Sequence, residues 1–121
     1  MSDPEILFGI YCPPHPQPLL SPDASDGYGK LRDAFETCRK RIEESEADLI
    51  LVYSTTWPSI IGHQIQGHPE PEWVHVDDDF HYLGSMPYKF KMDTEFAEKF
   101  RESAESRGLQ SRTVSYDGFP I

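Results

Sequence analysis

Five histidines and a run of three aspartates are the residues of this chain best able to do chemistry. His15 stands in a proline-rich stretch, Cys12-Pro13-Pro14-His15-Pro16-Gln17-Pro18. His63, His68, His75 and His81 fall in the middle of the chain, with Asp77-Asp78-Asp79 between the last two. Imidazole and carboxylate ligate divalent metals and serve as acids and bases in catalysis. Their spacing matches none of the recognised signatures. There is no His-x-x-x-His on a helix, no Cys-x-x-Cys and no twelve-residue calcium loop, and no phosphate-cradling glycine loop or Gly-x-Ser-x-Gly elbow. The plainer reading stands beside each: a loop histidine is most often solvated, and an acidic run is most often a solvated face. In Trp73-Val74-His75-Val76-Asp77 the alternation puts His75 on one strand face with Trp73 and Asp77.

The elements that would position these residues follow from the apolar pattern. Glu5 to Tyr11 is a nearly continuous apolar run, as expected of a strand buried on both faces of a parallel sheet, and prolines end it. Between Tyr28 and Ser45 the period becomes helical, with Leu31, Phe35, Cys38 and Ile42 on one stripe and charged residues opposite. Asp48 to Tyr53 is a second apolar run, and strand–helix–strand with short links predicts a parallel βαβ unit. A second helix is expected over Thr94–Arg107, with Phe96 and Phe100 on its apolar stripe and Gly108 as its stop, then a third strand over Arg112–Tyr116. The expected class is α/β: a mostly parallel sheet of three or more strands, flanking helices, a βαβ core and a long irregular loop over 55–92. Within that loop Ile60-Ile61 and Trp73–Val76 read as small strands. Ligands in open parallel sheets collect at the carboxyl ends of strands, where His15 and the segment from Ser54 onward would lie.

The length of 121 residues fits a single domain over 1–121. Two Trp, six Tyr and seven Phe supply large areas to bury despite a hydrophobic fraction of 37%. With 21 acidic against 11 basic residues the net charge is −10, which repels a polyanion; nucleic acid is not an expected partner. No stretch reaches transmembrane length, so no membrane partner is expected. The acidic start Met-Ser-Asp-Pro-Glu lacks the basic beginning of a secretory signal, and the two cysteines, Cys12 and Cys38, read as reduced thiols. A cytoplasmic location is the expectation.

The loops then carry a resemblance. Asp-Leu-Ile-Leu-Val-Tyr-Ser-Thr-Thr-Trp at 48–57, Gly-His-Gln-Ile-Gln at 62–66, His-Val-Asp-Asp-Asp-Phe at 75–80 and Leu-Gly-Ser-Met-Pro-Tyr at 83–88 look like segments of class III extradiol ring-cleavage dioxygenases. Pro14-His15-Pro16, followed by Leu19-Leu20, resembles the first metal-ligand loop of that family. The similarity spans essentially the whole chain, matches the N-terminal half of such a subunit, and is nearest to the 2-aminophenol 1,6-dioxygenase subunits.

The resemblance implies a fold, a cofactor and a departure. Active members hold a non-haem Fe(II) with two His and one carboxylate, leaving positions open for a catechol-like substrate and O₂. His15 matches the first ligand. The second belongs to a Ser-x-His-Trp-like motif, which here reads Ser54-Thr55-Thr56-Trp57, so Thr56 stands where the histidine should be. A neutral hydroxyl cannot replace imidazole, and the remaining ligand and the acid/base histidine of the family lie in the other half. Fe(II) is therefore not expected on this chain alone, and no catalytic residue is assigned. Trp57, His63, His75 and Asp77 are candidates for lining a site. The family includes paired subunits, one catalytic and one ligand-poor, so the implied role is support of a homologous or complementary dioxygenase subunit, or self-association. Two other readings stay open: an active dioxygenase completed by a second chain, and a binding or scaffold domain without redox chemistry. A truncated product, a gene fragment and one piece of a split protein all fit the length.

Overall fold

The structure, a computed structural model, describes residues 3–60 and 62–117. They fall into two compact units. The first runs up to Leu51 and takes in Asp77–Gly84; the second is Val52–Val76 with the stretch from Ser85 onward.

The first unit is built around one long helix. A single helical turn, α1 (Gln17–Leu20), and a 3-10 turn (Pro22–Ala24) lead into α2 (Asp26–Ser45). The Ser25 side chain caps α2 by accepting from the Tyr28 N–H at 3.2 Å, satisfying one of the free amides of the first turn. The stripe Leu31, Phe35, Cys38 and Ile42 is half-buried while most of the remaining face is exposed, as the period requires. Arg39 bridges Glu36 and Glu43 one turn either side of it, and these pairs hold Arg39 up and Glu36 down from their ordinary pKa values. The Arg41 guanidinium lies 4.7 Å from the centre of the Phe8 ring, tying the first apolar run to the helix.

The second unit contains the four strands found among the described residues. β1 (His63–Gln66) pairs in parallel with β4 (Ser111–Val114), in the register His63–Ser111 to Gln66–Val114. α3 (Thr94–Ser106) lies between them in sequence and packs on both, which makes β1–α3–β4 a parallel βαβ unit. Asp93 caps α3 by accepting from the Phe96 N–H at 2.9 Å. The buried position is Ala97, with Phe100, Arg101 and Ala104 half-buried, so the inward face sits one residue on from the expected Phe96. An alanine there lets helix and strands approach closely, and Phe96 is left at the rim with its ring 6.3 Å from that of Phe100. Gly62 enters β1 at φ 62° with Gln110 O in the space a Cβ would need, at 2.1 Å. Only glycine fits that approach.

β2 (Glu72–His75) and β3 (Met86–Lys89) form an antiparallel pair, Glu72 opposite Lys89 and Trp73 opposite Tyr88. The pairing continues through Phe90 N to Pro71 O at 3.0 Å and Met92 N to Pro69 O at 2.8 Å. Pro87 donates no ladder bond, as expected where a strand has a free edge.

Several expectations change here. Among the described residues the parallel sheet has two strands, where three or more were expected. Glu5–Tyr11 and Asp48–Tyr53 form no ladder, and Ile6, Leu7, Ile10, Leu49, Ile50 and Leu51 are exposed. An apolar run reports a need for burial on both faces, and among the described residues no neighbouring strand supplies it. The βαβ unit is formed by a later strand–helix–strand than the expected one, with β2 and β3 inserted in its crossover. The segment 55–92 is not irregular throughout, since it holds β1, β2 and β3. Trp73–Val76 was expected as a strand and coincides with β2 within a residue. Ile60 is an exposed bend, and Ile61 lies outside the described residues.

Candidate functional site

The carboxyl ends of β1 and β4 bring together a polar and aromatic cluster. Gln64 and Gln66 share one face of β1 by the two-residue period, and both side chains reach Tyr116, just beyond β4. Gln64 Nε2 donates to the Tyr116 hydroxyl at 2.7 Å, and Gln66 Nε2 donates to the Tyr116 carbonyl at 2.9 Å. Gln66 Oε1 accepts from the His68 N–H at 3.0 Å, so a side chain only 5% exposed has both ends of its amide engaged. The Trp57 ring meets Tyr116 edge-on with centroids 5.8 Å apart.

His68 is the imidazole of the cluster. Its Nδ1 accepts from the Glu70 N–H at 3.0 Å, which leaves Nε2 as the protonated nitrogen of the neutral ring. That Nε2 lies 3.7 Å from Asp117 Oδ1. The Tyr88 hydroxyl donates to the Asp117 carbonyl at 2.9 Å, and the Glu72 N–H reaches Asp117 Oδ1 at 3.4 Å. A neutral imidazole of fixed tautomer therefore turns its N–H edge toward the Asp117 carboxylate. An open groove of about 490 Å³ lies nearby, between Gly67, Thr94, Glu98 and Thr113. The Thr113 hydroxyl, donating to Glu98 Oε1 at 2.6 Å, together with Arg101, holds the Glu98 carboxyl below the ordinary glutamate value.

The residues singled out in the sequence are placed as follows. His15 is exposed in the first unit, just before α1. Thr56 is exposed in the second; its N–H donates to Ser54 Oγ at 3.2 Å and the two hydroxyl oxygens are 2.9 Å apart. Trp57 joins the cluster. His63 is exposed at the start of β1, its N–H donating to Gln110 O at 2.7 Å. His75 is half-buried at the end of β2 opposite Met86. Asp77 belongs to the first unit, where Oδ1 accepts from the Asp79 and Phe80 N–H groups at 3.0 and 2.9 Å. That is an Asx turn, a structural use of the carboxylate. Gln66, Tyr116 and Asp117 were not foreseen as site residues. The signal available was the Gln64/Gln66 alternation, which puts two long amides on one face of a strand.

The cofactor implied by the resemblance is tested by the donor set. Among the described residues no group of three or more His, Cys, Asp or Glu is placed to hold a metal ion. His68 and Asp117 make a pair, short of the three ligands that an Fe(II) site of this type uses. The described side chains therefore do not by themselves supply the donor set that Fe(II) of this type requires. Cys12 and Cys38 are both free. No helix among the described residues is long and apolar enough to cross a membrane.

No protein-family model matches the chain. It is 28% identical over 116 residues to the 2-aminophenol 1,6-dioxygenase alpha subunit of a Pseudomonas species, covering 96% of this chain and 42% of that subunit. It is 31% identical over 122 residues to the beta subunit of the same-named enzyme, also from a Pseudomonas species, covering 94% of this chain and 40% of that subunit. The chain is thus related, over nearly all of its own length and about two-fifths of theirs, to the subunits of 2-aminophenol 1,6-dioxygenase.

Proposed function

We propose that this chain is a supporting subunit, or part of one, in an extradiol ring-cleavage dioxygenase of the cytoplasm. Its role is to assemble with a catalytic partner that opens a 2-aminophenol or catechol ring with O₂. The observation that carries the reading is similarity across nearly the whole chain to both an alpha and a beta subunit named 2-aminophenol 1,6-dioxygenase. The donor chemistry favours support over catalysis. At the position that resembles the second iron ligand stands Thr56, a neutral hydroxyl already engaged with Ser54. A threonine oxygen binds Fe(II) too weakly to take the place of an imidazole, and His15 alone supplies one donor.

The test is reconstitution. The purified chain is mixed with each Pseudomonas subunit in turn, loaded with Fe(II) under anaerobic conditions, and assayed for oxygen uptake with 2-aminophenol. The reading expects no uptake by the chain alone, and co-elution with at least one subunit in an active complex. Uptake by the isolated chain, or failure to associate with either subunit, contradicts it. In the active complex His15→Ala separates support from catalysis: retained activity is expected, and its loss would make His15 a ligand in a shared site.

A further inference from the structure

The β2–β3 ribbon is two strands wide and open on both faces. Trp73 and Val74 point to opposite faces by the two-residue period, and they are 64% and 44% exposed. A two-stranded ribbon is marginally stable by itself and depends on what holds its root. At that root Pro71 is fully buried, and its C=O accepts the Phe90 N–H at 3.0 Å. With φ fixed by its ring, this proline is a rigid pivot. Immediately beyond it, Asp117 takes hold of both strands. Its Oδ1 accepts from the Glu72 N–H on β2 at 3.4 Å, and its C=O accepts from the Tyr88 hydroxyl on β3 at 2.9 Å. In the ladder that continues from Pro71–Phe90 the bonded pairs are Trp73–Tyr88 and His75–Met86, so the Glu72 N–H points away from β3 and is met by an acceptor outside the ribbon. Asp117 is in turn anchored through its neighbour Tyr116, which Gln64 and Gln66 of β1 hold at 2.7 and 2.9 Å.

We propose that Asp117 is a clasp and that β2–β3 is a flap pivoting at Pro71 and Phe90. With the clasp made, the flap is tied to the ends of β1 and β4. With it released, residues 72–76 and 86–89 open together while the β1–α3–β4 unit stays folded. The core keeps its own bonds in the open state. The Gly67 N–H to Val114 O bond at 2.7 Å, the Asp93 cap of α3 and the two glutamine amides on Tyr116 do not involve the flap. Opening uncouples the Asp117 carboxylate, with His68 Nε2 3.7 Å from it, from both strands of the ribbon. These groups lie just past the carboxyl ends of β1 and β4, the end of a parallel sheet where ligands collect, so the flap governs access to them. The proposal stands apart from the dioxygenase reading, because the motion involves only the second unit and calls on no partner or substrate.

The test is amide hydrogen exchange read by mass spectrometry on the full chain and three variants. Asp117→Ala removes the acceptor of the Glu72 N–H, Asp117→Asn keeps an oxygen in its place, and Tyr88→Phe removes the tie to β3. Asp117→Ala and Tyr88→Phe should each speed exchange over 72–76 and 86–89 by about two- to tenfold, the factor by which one partly exposed hydrogen bond shifts an opening equilibrium. Exchange over 63–66, 94–106 and 111–114 should stay as in the native chain, and Asp117→Asn should restore most of the protection of the flap. Unchanged exchange over the flap in Asp117→Ala overturns the clasp. Acceleration of one strand without the other, or by one variant without the other, overturns a clasp that holds both. Equal acceleration across the flap, α3 and β4 overturns the flap, since the ribbon would then open only with the whole unit. Failure of Asp117→Asn to restore protection overturns the role given to Oδ1.

Discussion

Gln66→Met removes the amide that joins the end of β1 to the segment after β4 while nearly preserving side-chain length and volume. In the native chain that amide donates to the Tyr116 carbonyl at 2.9 Å and accepts from the His68 N–H at 3.0 Å. With Gln66 only 5% exposed, methionine leaves a carbonyl and an N–H in part-buried surroundings without their partners. An orphaned buried polar group costs about 1–3 kcal/mol, and water reaches part of this site, so the expected loss is about 2–4 kcal/mol in all. Against a typical total of about 5–15 kcal/mol that is a large fraction. The assay is urea unfolding followed by tryptophan fluorescence, because Trp57 packs edge-on against Tyr116 and reports on this cluster. The midpoint should fall with the slope unchanged. A loss under about 0.5 kcal/mol, in the range of ordinary surface substitutions, would refute the claim that the cluster holds the strand ends together.

Gly62→Ala should destabilise by about 2 kcal/mol or more, since φ is 62° and the new Cβ would lie 2.1 Å from Gln110 O; an unchanged urea midpoint would contradict that geometry. Asp93→Ala removes the α3 cap and should cost about 1 kcal/mol with a small loss of helical circular dichroism, whereas Asp93→Asn should recover most of it. Glu98 contributes a pH dependence of known sign. Its folded pKa lies below the ordinary 4.5, chiefly through the Thr113 hydroxyl, so its stabilisation is present above that value and is lost as pH falls through the lower folded one. Comparing urea midpoints of the chain and Thr113→Val at neutral pH and below pH 4 should show the difference between them shrink in acid; an equal difference at both would count against the assignment.

The helices were legible because their signals are local. Four residues of one stripe, Leu31, Phe35, Cys38 and Ile42, fixed the covered face of α2, and Gly108 fixed the end of α3. β4 and the core of β2 were legible from β-branched and aromatic residues. The partners of the strands were not. An apolar run such as Glu5–Tyr11 states that it wants burial on both faces without naming its neighbours, and here those neighbours are missing from the described residues. β1 escaped notice because His-Gln-Ile-Gln has one apolar residue; its pairing with β4 is set by tertiary context, including the glycine that lets Gln110 approach. The same holds for the site. His15 and Thr56 were picked out by resemblance, yet the cluster that forms depends on Gln66 and Tyr116 meeting across 50 residues of sequence. Asp77 illustrates the converse, a carboxylate that could have been a ligand and is spent on its own turn.

The proposal that this chain supports a catalytic partner and holds no Fe(II) by itself is tested most directly by anaerobic Fe(II) titration of the purified chain, with bound iron quantified after gel filtration. The account predicts no stoichiometric iron on the wild-type chain and none on Thr56→Ala. One tightly held Fe(II) per chain, lost on His15→Ala, would contradict it.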